Sequence, residues 1–277
     1  MAQTAVFRYR DFSMEYLCWG SGPETILCLH GFGRTGADFQ VFVPLLNDRQ
    51  QLVALNLFGH GQSTWGDHRG DPITAEQWSG LVEAFIQHLG SQQVHLVGYS
   101  LGARMALAFM VRCPDRLLSV LLLAPDGLAI HPAYAFFARA GFGRWLSRQW
   151  LEKPGLPMTL LSASGKLGII PRKVSHFVLA QLQTHERREQ VYLTWTRLRL
   201  IHTRRKAWIC LPETHGFGLR MVFGKYDQVI PSKLGKRINR MLGHSRYYLE
   251  VPVGHKLLDP MVARQLAESG AWCPKLK

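Results

Sequence analysis

The sequence predicts an α/β protein with a mostly parallel, twisted sheet that helices cover on both faces. Short apolar runs alternate along the chain with segments of helical period, and strands buried on both faces have this continuously apolar character. The chain has 277 residues, of which 47% are hydrophobic. That composition is sufficient for one large core.

Each element rests on its local pattern. Strands are predicted where apolar residues run together between turn residues, and helices where apolar residues recur every three to four positions. Thr74 and Gln77 have capping-box spacing, and Gly90 follows the end of the same helix. In chain order, these patterns predict strands at 5–9, 14–19, 26–29, 52–57, 94–97 and 117–124, with helices at 37–46, 74–89 and 101–112.

The alternation stops after residue 127 and resumes near residue 211. The intervening segment contains helical stretches and loops that are rich in aromatic and basic side chains. Beyond it, the patterns predict strands at 219–223 and 247–251 and helices at 232–242 and 260–268. We therefore predict a core of residues 1–127 and 211–277 and an inserted helical cap at 128–210.

Positive charge is concentrated in the insertion. The chain carries a net charge of +14, and residues 128–206 contain fourteen Lys or Arg and three acids, a net charge of +11. Such a field attracts anions, including lipid headgroups, acyl carrier protein, coenzyme A and small carboxylates, although a solvated basic surface has the same composition. No nucleic-acid-binding motif is recognisable, so nucleic acid is not expected as a partner.

The cysteines and the hydropathy pattern indicate the cellular compartment in which the protein is expected. Five scattered cysteines, with no metal-ligand spacing among them, predict neither a disulfide framework nor a metal site and favour a reducing compartment. The longest apolar run, 117–124, is too short to cross a membrane, and the N-terminus has no signal-peptide pattern. We expect a cytoplasmic protein with, at most, peripheral membrane contact.

Ser100 is the candidate nucleophile, because it lies between Gly98 and Gly102 where a predicted strand turns into a helix. A serine hydroxyl needs an exposed position, a neighbouring base and donors for the oxyanion that it creates. A sharp turn lifts the side chain clear of the sheet, and the flanking glycines relieve crowding. The helix N-terminus also favours developing negative charge.

Four motifs together resemble the α/β-hydrolase superfamily over nearly the whole chain: Gly98–Gly102, His30–Gly33, Asn56–Ser63 and Phe223–Pro231. Asn56 stands where the family usually has aspartate. The resemblance implies that the backbone N–H groups of Phe32 and Leu101 form an oxyanion hole.

Val253–His255 follows the last predicted strand and resembles the family's histidine loop. The resemblance therefore also implies a triad in the chain order Ser100, Asp227, His255. His255 would accept the serine proton, and Asp227 would orient the imidazole and stabilise its charge. Asp126 remains a second possible acid, because it follows strand 117–124, where some family members place the acid.

Five further side chains are expected to contact substrate: His30, Tyr99, Arg104, Phe137 and Trp145. His30 is expected chiefly to order the oxyanion loop. Phe137 and Trp145 would line an apolar pocket beneath a family-type cap or pack within it. The segment Gly98–Arg104 also resembles the menaquinone-pathway lyase SHCHC synthase, in which arginine holds substrate carboxylates. Alternatively, Arg104 pairs with a carboxylate of the protein itself.

The resemblance and the motifs predict a serine hydrolase that cleaves a carboxylic ester or thioester through an acyl-enzyme, without cofactor or metal. The basic insertion would suit an anionic substrate or one linked to acyl carrier protein or coenzyme A. Three alternatives remain: a lyase like SHCHC synthase with the same triad, a C–C bond hydrolase, and a non-catalytic ligand receptor.

Overall fold

A computed structural model describes residues 2–66, 71–129, 134–168, 175, 178–180, 182–242 and 247–273. The chain divides into two compact units. The first comprises Met1–His68, Thr74–Ala129 and Ile201–Lys277, and the second comprises Arg69–Ile73 and Ile130–Leu200. The predicted cap interval, 128–210, includes stretches outside the described residues. Each unit is described by itself below.

The first unit contains an eight-stranded sheet with the strand order β1-β2-β4-β3-β5-β6-β7-β8. The pairs β1–β2 and β2–β4 are antiparallel, and the other neighbours are parallel. All six residues of β5 are buried, including the polar His95, as expected of a strand covered on both faces. The strands are β1 (Gln3–Tyr9), β2 (Phe12–Gly20), β3 (Glu24–Leu29), β4 (Gln50–Leu55), β5 (Val94–Tyr99), β6 (Leu117–Leu123), β7 (Gly218–Gly224) and β8 (Tyr248–Val251).

The helices of both units complete the fold. The capping box predicted for α1 is present, with Thr74 and Gln77 bonded reciprocally. Helix α2 packs against β5 and α1. The α-helices are α1 (Ala75–His88), α2 (Leu101–Arg112), α3 (Gly141–Glu152), α4 (Gly155–Lys166), α5 (His185–Arg197), α6 (Leu211–His215), α7 (Ser232–Leu242) and α8 (Pro260–Glu268).

Two predicted elements differ from the structure. Residues 37–46 do not form an α-helix: Gly36–Leu45 is a 3₁₀-helix, in which Pro44 lacks the backbone N–H that an α-helix would use. The strand predicted at 52–57 is displaced to Gln50–Leu55. The strand ends before Asn56, whose side chain bonds the backbone of Gly36. The apolar pattern of the sequence does not indicate this bond.

Asn56 is buried at the end of β4 and connects three segments. Its Oδ1 accepts a hydrogen bond from the Gly36 N–H at 2.6 Å, and its Nδ2 donates to Glu15 Oε2 at 2.5 Å. The backbone N–H of Gln62 donates to the same carboxylate oxygen at 2.9 Å. An amide can donate to a carboxylate, whereas an ionised aspartate cannot. The carboxylate of Glu15 therefore explains why position 56 has asparagine, which can donate to it, where the family usually has aspartate.

The second unit is helical within its described residues. A π-helical turn, Ala135–Arg139, precedes α3 and α4, and α5 follows with Thr184 as its N-cap. Arg139 donates to the carbonyl oxygen of Arg199, and Arg144 donates to that of Arg139. These guanidinium groups therefore satisfy backbone carbonyls inside the unit. None of the helices in the described parts of either unit is long and apolar enough to cross a membrane.

Candidate active site

Ser100 occupies a strained turn between β5 and α2. Its backbone has φ 50° and ψ −113°, a conformation that a non-glycine residue adopts only when its surroundings hold it there. A Cβ on Gly98 would lie 2.6 Å from Cα of Ala103, and one on Gly102 would collide with the backbone carbonyl of Leu29. Both glycines are therefore required for α2 to pack this closely against the sheet.

Ser100, His255 and Asp227 form a continuous chain of hydrogen-bonding groups. Ser100 Oγ lies 3.1 Å from His255 Nε2, and His255 Nδ1 lies 2.7 Å from Asp227 Oδ2. Because an ionised carboxylate only accepts hydrogen bonds, the imidazole carries its proton on Nδ1 when neutral. Nε2 is then available to accept the serine proton. The geometry fits a nucleophile, a base and an orienting acid.

The loop after β7 fixes the carboxylate of Asp227, which has no exposed side-chain surface. Its Oδ1 accepts from the backbone N–H groups of Val229 at 2.8 Å and Ile230 at 2.9 Å. The second oxygen faces His255. Each carboxylate oxygen thus has a definite partner, so Asp227 is held in one orientation.

The alternative acid, Asp126, has a different partner. Its carboxylate lies 3.3 Å from Arg104 Nε, and its backbone N–H donates to the carbonyl oxygen of Ser100 at 3.2 Å. The imidazole of His255 faces Asp227 instead. The geometry favours Asp227 as the acid and leaves Asp126 as a support of the turn.

The loop after β3 and the start of α2 carry the two backbone N–H groups predicted to form an oxyanion hole. A Cβ on Gly31 would lie 3.2 Å from Ser100 Cβ, so the loop after β3 runs directly beside the serine. Leu101 opens α2, where the first N–H groups have no intrahelical acceptor. Within the described parts of the chain, the N–H groups of Phe32 and Leu101 donate to no backbone acceptor.

Two buried histidines order this loop. His30 Nε2 accepts from the Leu57 N–H at 2.9 Å, and its Nδ1 lies 2.7 Å from the Gly31 carbonyl oxygen. His60 Nε2 accepts from the Gly33 N–H at 3.0 Å. Burial, with a smaller contribution from His60, lowers the pKa of His30 to about 3. His30 has no exposed surface, which argues against the substrate contact predicted for it and supports its role in ordering the loop.

Tyr99 also belongs to the framework of the site. Its hydroxyl donates to the backbone carbonyl oxygen of His255 at 2.9 Å, and the two rings lie 5.6 Å apart. A Cβ on Gly31 would lie 3.0 Å from the Tyr99 ring. Burial raises the pKa of the Tyr99 phenol well above its ordinary value, so it remains a donor. The predicted substrate contact is not supported, since only 4% of this residue is exposed.

Arg104 is directed into the protein. The residue is 6% exposed, its side chain would contact a Cβ on Gly127 at 3.0 Å, and its guanidinium lies against Asp126. Of the two interpretations left open by the sequence, the geometry favours pairing with a carboxylate of the protein over contact with a substrate carboxylate.

Phe137 and Trp145 belong to the second unit. The Phe137 ring packs 5.0 Å from Trp150 and also 5.0 Å from Phe136. Trp145 stacks on Phe142 at 5.6 Å and is 55% exposed. Phe137 is therefore part of the packing of its own unit, and Trp145 is a surface residue. The substrate contacts predicted for both stay predictions.

Comparison with known proteins agrees with the topology. The family model described as alpha/beta hydrolase fold matches residues 24–154. An uncharacterised hydrolase of Bacillus subtilis (strain 168), YugF, is 27% identical over 239 residues, 84% of each chain. A solved structure of an alpha/beta hydrolase enzyme from a Medee basin deep-sea metagenome library, MGS-M2, superposes with a TM-score of 0.70 at 18% identity and covers 99% of both chains.

Two shorter matches carry different reaction names. Pimeloyl-[acyl-carrier protein] methyl ester esterase of Methylococcus capsulatus is 35% identical over 104 residues, 38% of this chain and 37% of that one. A Bacillus subtilis protein named for 2-succinyl-6-hydroxy-2,4-cyclohexadiene-1-carboxylate synthase is 31% identical over 112 residues, 39% and 40% of the two chains. The chain therefore has the α/β-hydrolase fold and is similar to that family over residues 24–154, and these matches do not select one reaction.

We predict that Tyr99→Phe lowers turnover without preventing folding. Loss of the bond to the His255 carbonyl removes about 1 kcal/mol of support from the histidine loop, so kcat should fall roughly fivefold to tenfold while KM changes little. Kinetics on a small ester would measure the effect. Tyr248→Phe, which removes a hydroxyl bonded to Glu250, is the matched control, and an equal fall in its kcat would contradict the positioning role.

We predict that the buried histidines make stability depend on pH. The pKa of His30 is lowered in the folded chain to about 3, so between that pH and about 6.5 the unfolded chain binds more protons. The unfolding free energy should therefore fall with falling pH, by up to about 1.4 kcal/mol per pH unit from this residue.

Urea titrations at several pH values would measure this slope. His30→Asn should flatten it, whereas His185→Asn, at an exposed position, should leave it unchanged. Equal slopes in wild type and His30→Asn would show that His30 contributes nothing to the pH dependence.

Proposed function

We propose that the protein is a serine hydrolase that cleaves a carboxylic ester or thioester through an acyl-enzyme. The observation that carries the proposal is the continuous Ser100–His255–Asp227 arrangement, with 3.1 Å between the nucleophile and the base and 2.7 Å between the base and the acid. A histidine that takes one proton from serine and returns it to a leaving group suits acyl transfer.

The proposed reaction has two halves. Ser100 Oγ bonds to the substrate carbonyl carbon as its proton passes to His255 Nε2, and the N–H groups of Phe32 and Leu101 stabilise the oxyanion. The alcohol or thiol leaves with that proton, which produces an acyl-serine. Water then attacks the acyl carbon and gives a proton to His255. His255 passes that proton to Ser100 Oγ as the bond between Oγ and the acyl carbon breaks, which releases the carboxylic acid and restores Ser100.

A lyase of the SHCHC-synthase kind is the less favoured alternative. That reaction would use Arg104 to hold a substrate carboxylate, whereas Arg104 is buried against Asp126. The two shorter relatives are matched at 35% and 31% identity, a difference too small to decide between their reactions. A C–C bond hydrolase and a non-catalytic receptor could have the same framework. The products would distinguish the C–C bond hydrolase from an esterase, and the absence of turnover would distinguish the receptor.

The first test is hydrolysis of p-nitrophenyl esters, from acetyl to palmitoyl, by wild type and Ser100→Ala. We expect turnover by wild type and a loss of at least about a thousandfold in the variant. Mass spectrometry of wild type after rapid acid quench should detect an acyl adduct on Ser100. Asp126→Asn should retain most of the activity that Asp227→Asn loses.

Turnover that survives Ser100→Ala would exclude Ser100 as the nucleophile. A folded wild type that hydrolyses no ester in the series would disfavour the esterase and favour the lyase or the receptor.

We propose further that the natural substrate is anionic or linked to an acidic carrier such as acyl carrier protein or coenzyme A. The net charge of +11 across residues 128–206 supports this, and one relative is named for a carrier-linked ester. Arg139 and Arg144 bond backbone carbonyls, so reversing their charge would disturb the fold. Lys166 and Lys206 are exposed and are better positions for a test.

We expect Lys166→Glu with Lys206→Glu to lower kcat/KM for an acyl-carrier-protein ester roughly tenfold at low salt, because charged surfaces accelerate encounter with an opposite charge. The effect should shrink at high salt. A neutral p-nitrophenyl ester is the control, and equal loss on both substrates would contradict the proposal.

A further inference from the structure

Three aromatic rings on the second unit form a surface cluster that the proposed chemistry does not use. Phe136, Phe142 and Trp145 are 40%, 64% and 55% exposed. The rings of Phe136 and Phe142 lie 6.3 Å apart, and those of Phe142 and Trp145 stack at 5.6 Å. We call these three residues the aromatic patch. Large apolar side chains that are exposed and contiguous mark an interaction surface more often than isolated ones do.

The charges around the aromatic patch are mostly positive. Phe142 and Trp145 are three residues apart on α3 and therefore share one helix face. Arg148, on the next turn, and Lys153, at the end of the helix, are both exposed. Between residues 134 and 168 there are five Lys or Arg and one acid, Glu152. The patch thus combines exposed rings with a cationic border.

This combination fits the boundary between lipid headgroups and acyl chains. Aromatic rings partition to that boundary, and Lys and Arg beside them are attracted to anionic headgroups. Helix α3 has twelve residues, far fewer than a membrane-spanning helix requires. A helix of this length can lie on a membrane but cannot cross it.

We propose that the aromatic patch and its basic border bind an anionic lipid surface, with Phe142 and Trp145 inserted at the headgroup boundary. A second copy of the chain fits less well, because a symmetric interface at this patch would bring Arg148 and Lys153 of both copies together. An acidic protein would match the positive border but would leave unexplained why the rings at the centre are exposed.

Vesicle sedimentation tests the proposal, with Ser100→Ala as the background so that hydrolysis cannot alter the lipid. We expect binding to vesicles of phosphatidylcholine and phosphatidylglycerol in equal amounts, and much weaker binding to phosphatidylcholine alone. Phe142→Ser with Trp145→Ser should weaken binding on the order of tenfold for each ring removed. Arg148→Glu should weaken binding to the anionic vesicles only.

A matched control removes two exposed apolar side chains of the first unit, by Val6→Ser with Met261→Ser, and should bind like the background protein. Trp145→Phe provides a second measurement. It should retain binding but lose part of the fluorescence quenching that brominated lipids cause in the background protein.

Three results would overturn the proposal: no binding to anionic vesicles, equal binding by the Phe142–Trp145 double variant, or quenching unaffected by Trp145→Phe. Self-association that disappears in the double variant, without vesicle binding, would assign the patch to an interface between copies. Binding of an acidic carrier protein through the patch, again without vesicle binding, would assign it to a protein partner. None of these outcomes depends on whether the protein hydrolyses esters.

Discussion

The close approach of α2 to the ends of β3 and β5 is the constraint on which the candidate site depends. Gly102 faces the Leu29 carbonyl with no room for a Cβ, and Gly98 faces Ala103 in the same way. Ser100 between them has a positive φ, a strain of about 1–3 kcal/mol that the surroundings must offset. Bonds from the Ser100 N–H to Leu123 and from the Asp126 N–H to the Ser100 carbonyl hold the turn. Adjacent parallel strands therefore position the serine and the loop beside it together.

The remaining parts of the site are held by polar groups that satisfy one another. Asp227 fixes the ring of His255 while Tyr99 fixes its backbone, so two bonds from separate segments place one imidazole. His30 and His60 act through neutral nitrogens that accept backbone N–H groups. Burial depresses the pKa of both histidines, which keeps them neutral acceptors near neutral pH. A charged histidine at either position would lose the lone pair that orders the loop.

The parallel core could be predicted from the sequence because buried strands leave a strong local signal. β5 is buried from end to end, and the motifs at the ends of the strands indicated Ser100, Asp227 and His255 without knowledge of their distances. The role of Tyr99 could not be predicted, because its partner is a backbone carbonyl 156 positions away. The Asn56–Glu15 pair spans 41 positions. The two partners of such a hydrogen bond are far apart in the sequence, so no local spacing indicates which residue a given polar side chain will bond.

The second unit shows a different limit on sequence reasoning. In α3, an aromatic stripe at helical spacing is ordinarily the buried side of a helix, and for Trp150 this interpretation agrees with its packing against Phe137. Phe142 and Trp145 share the spacing but are exposed. Periodicity states which residues share a face and says nothing about what that face contacts. Exposure to solvent separates the two groups. Phe137 and Trp150 pack inside the unit and stabilise it. Phe142 and Trp145 stay exposed after folding, so a partner that covered them would remove their apolar surface from water.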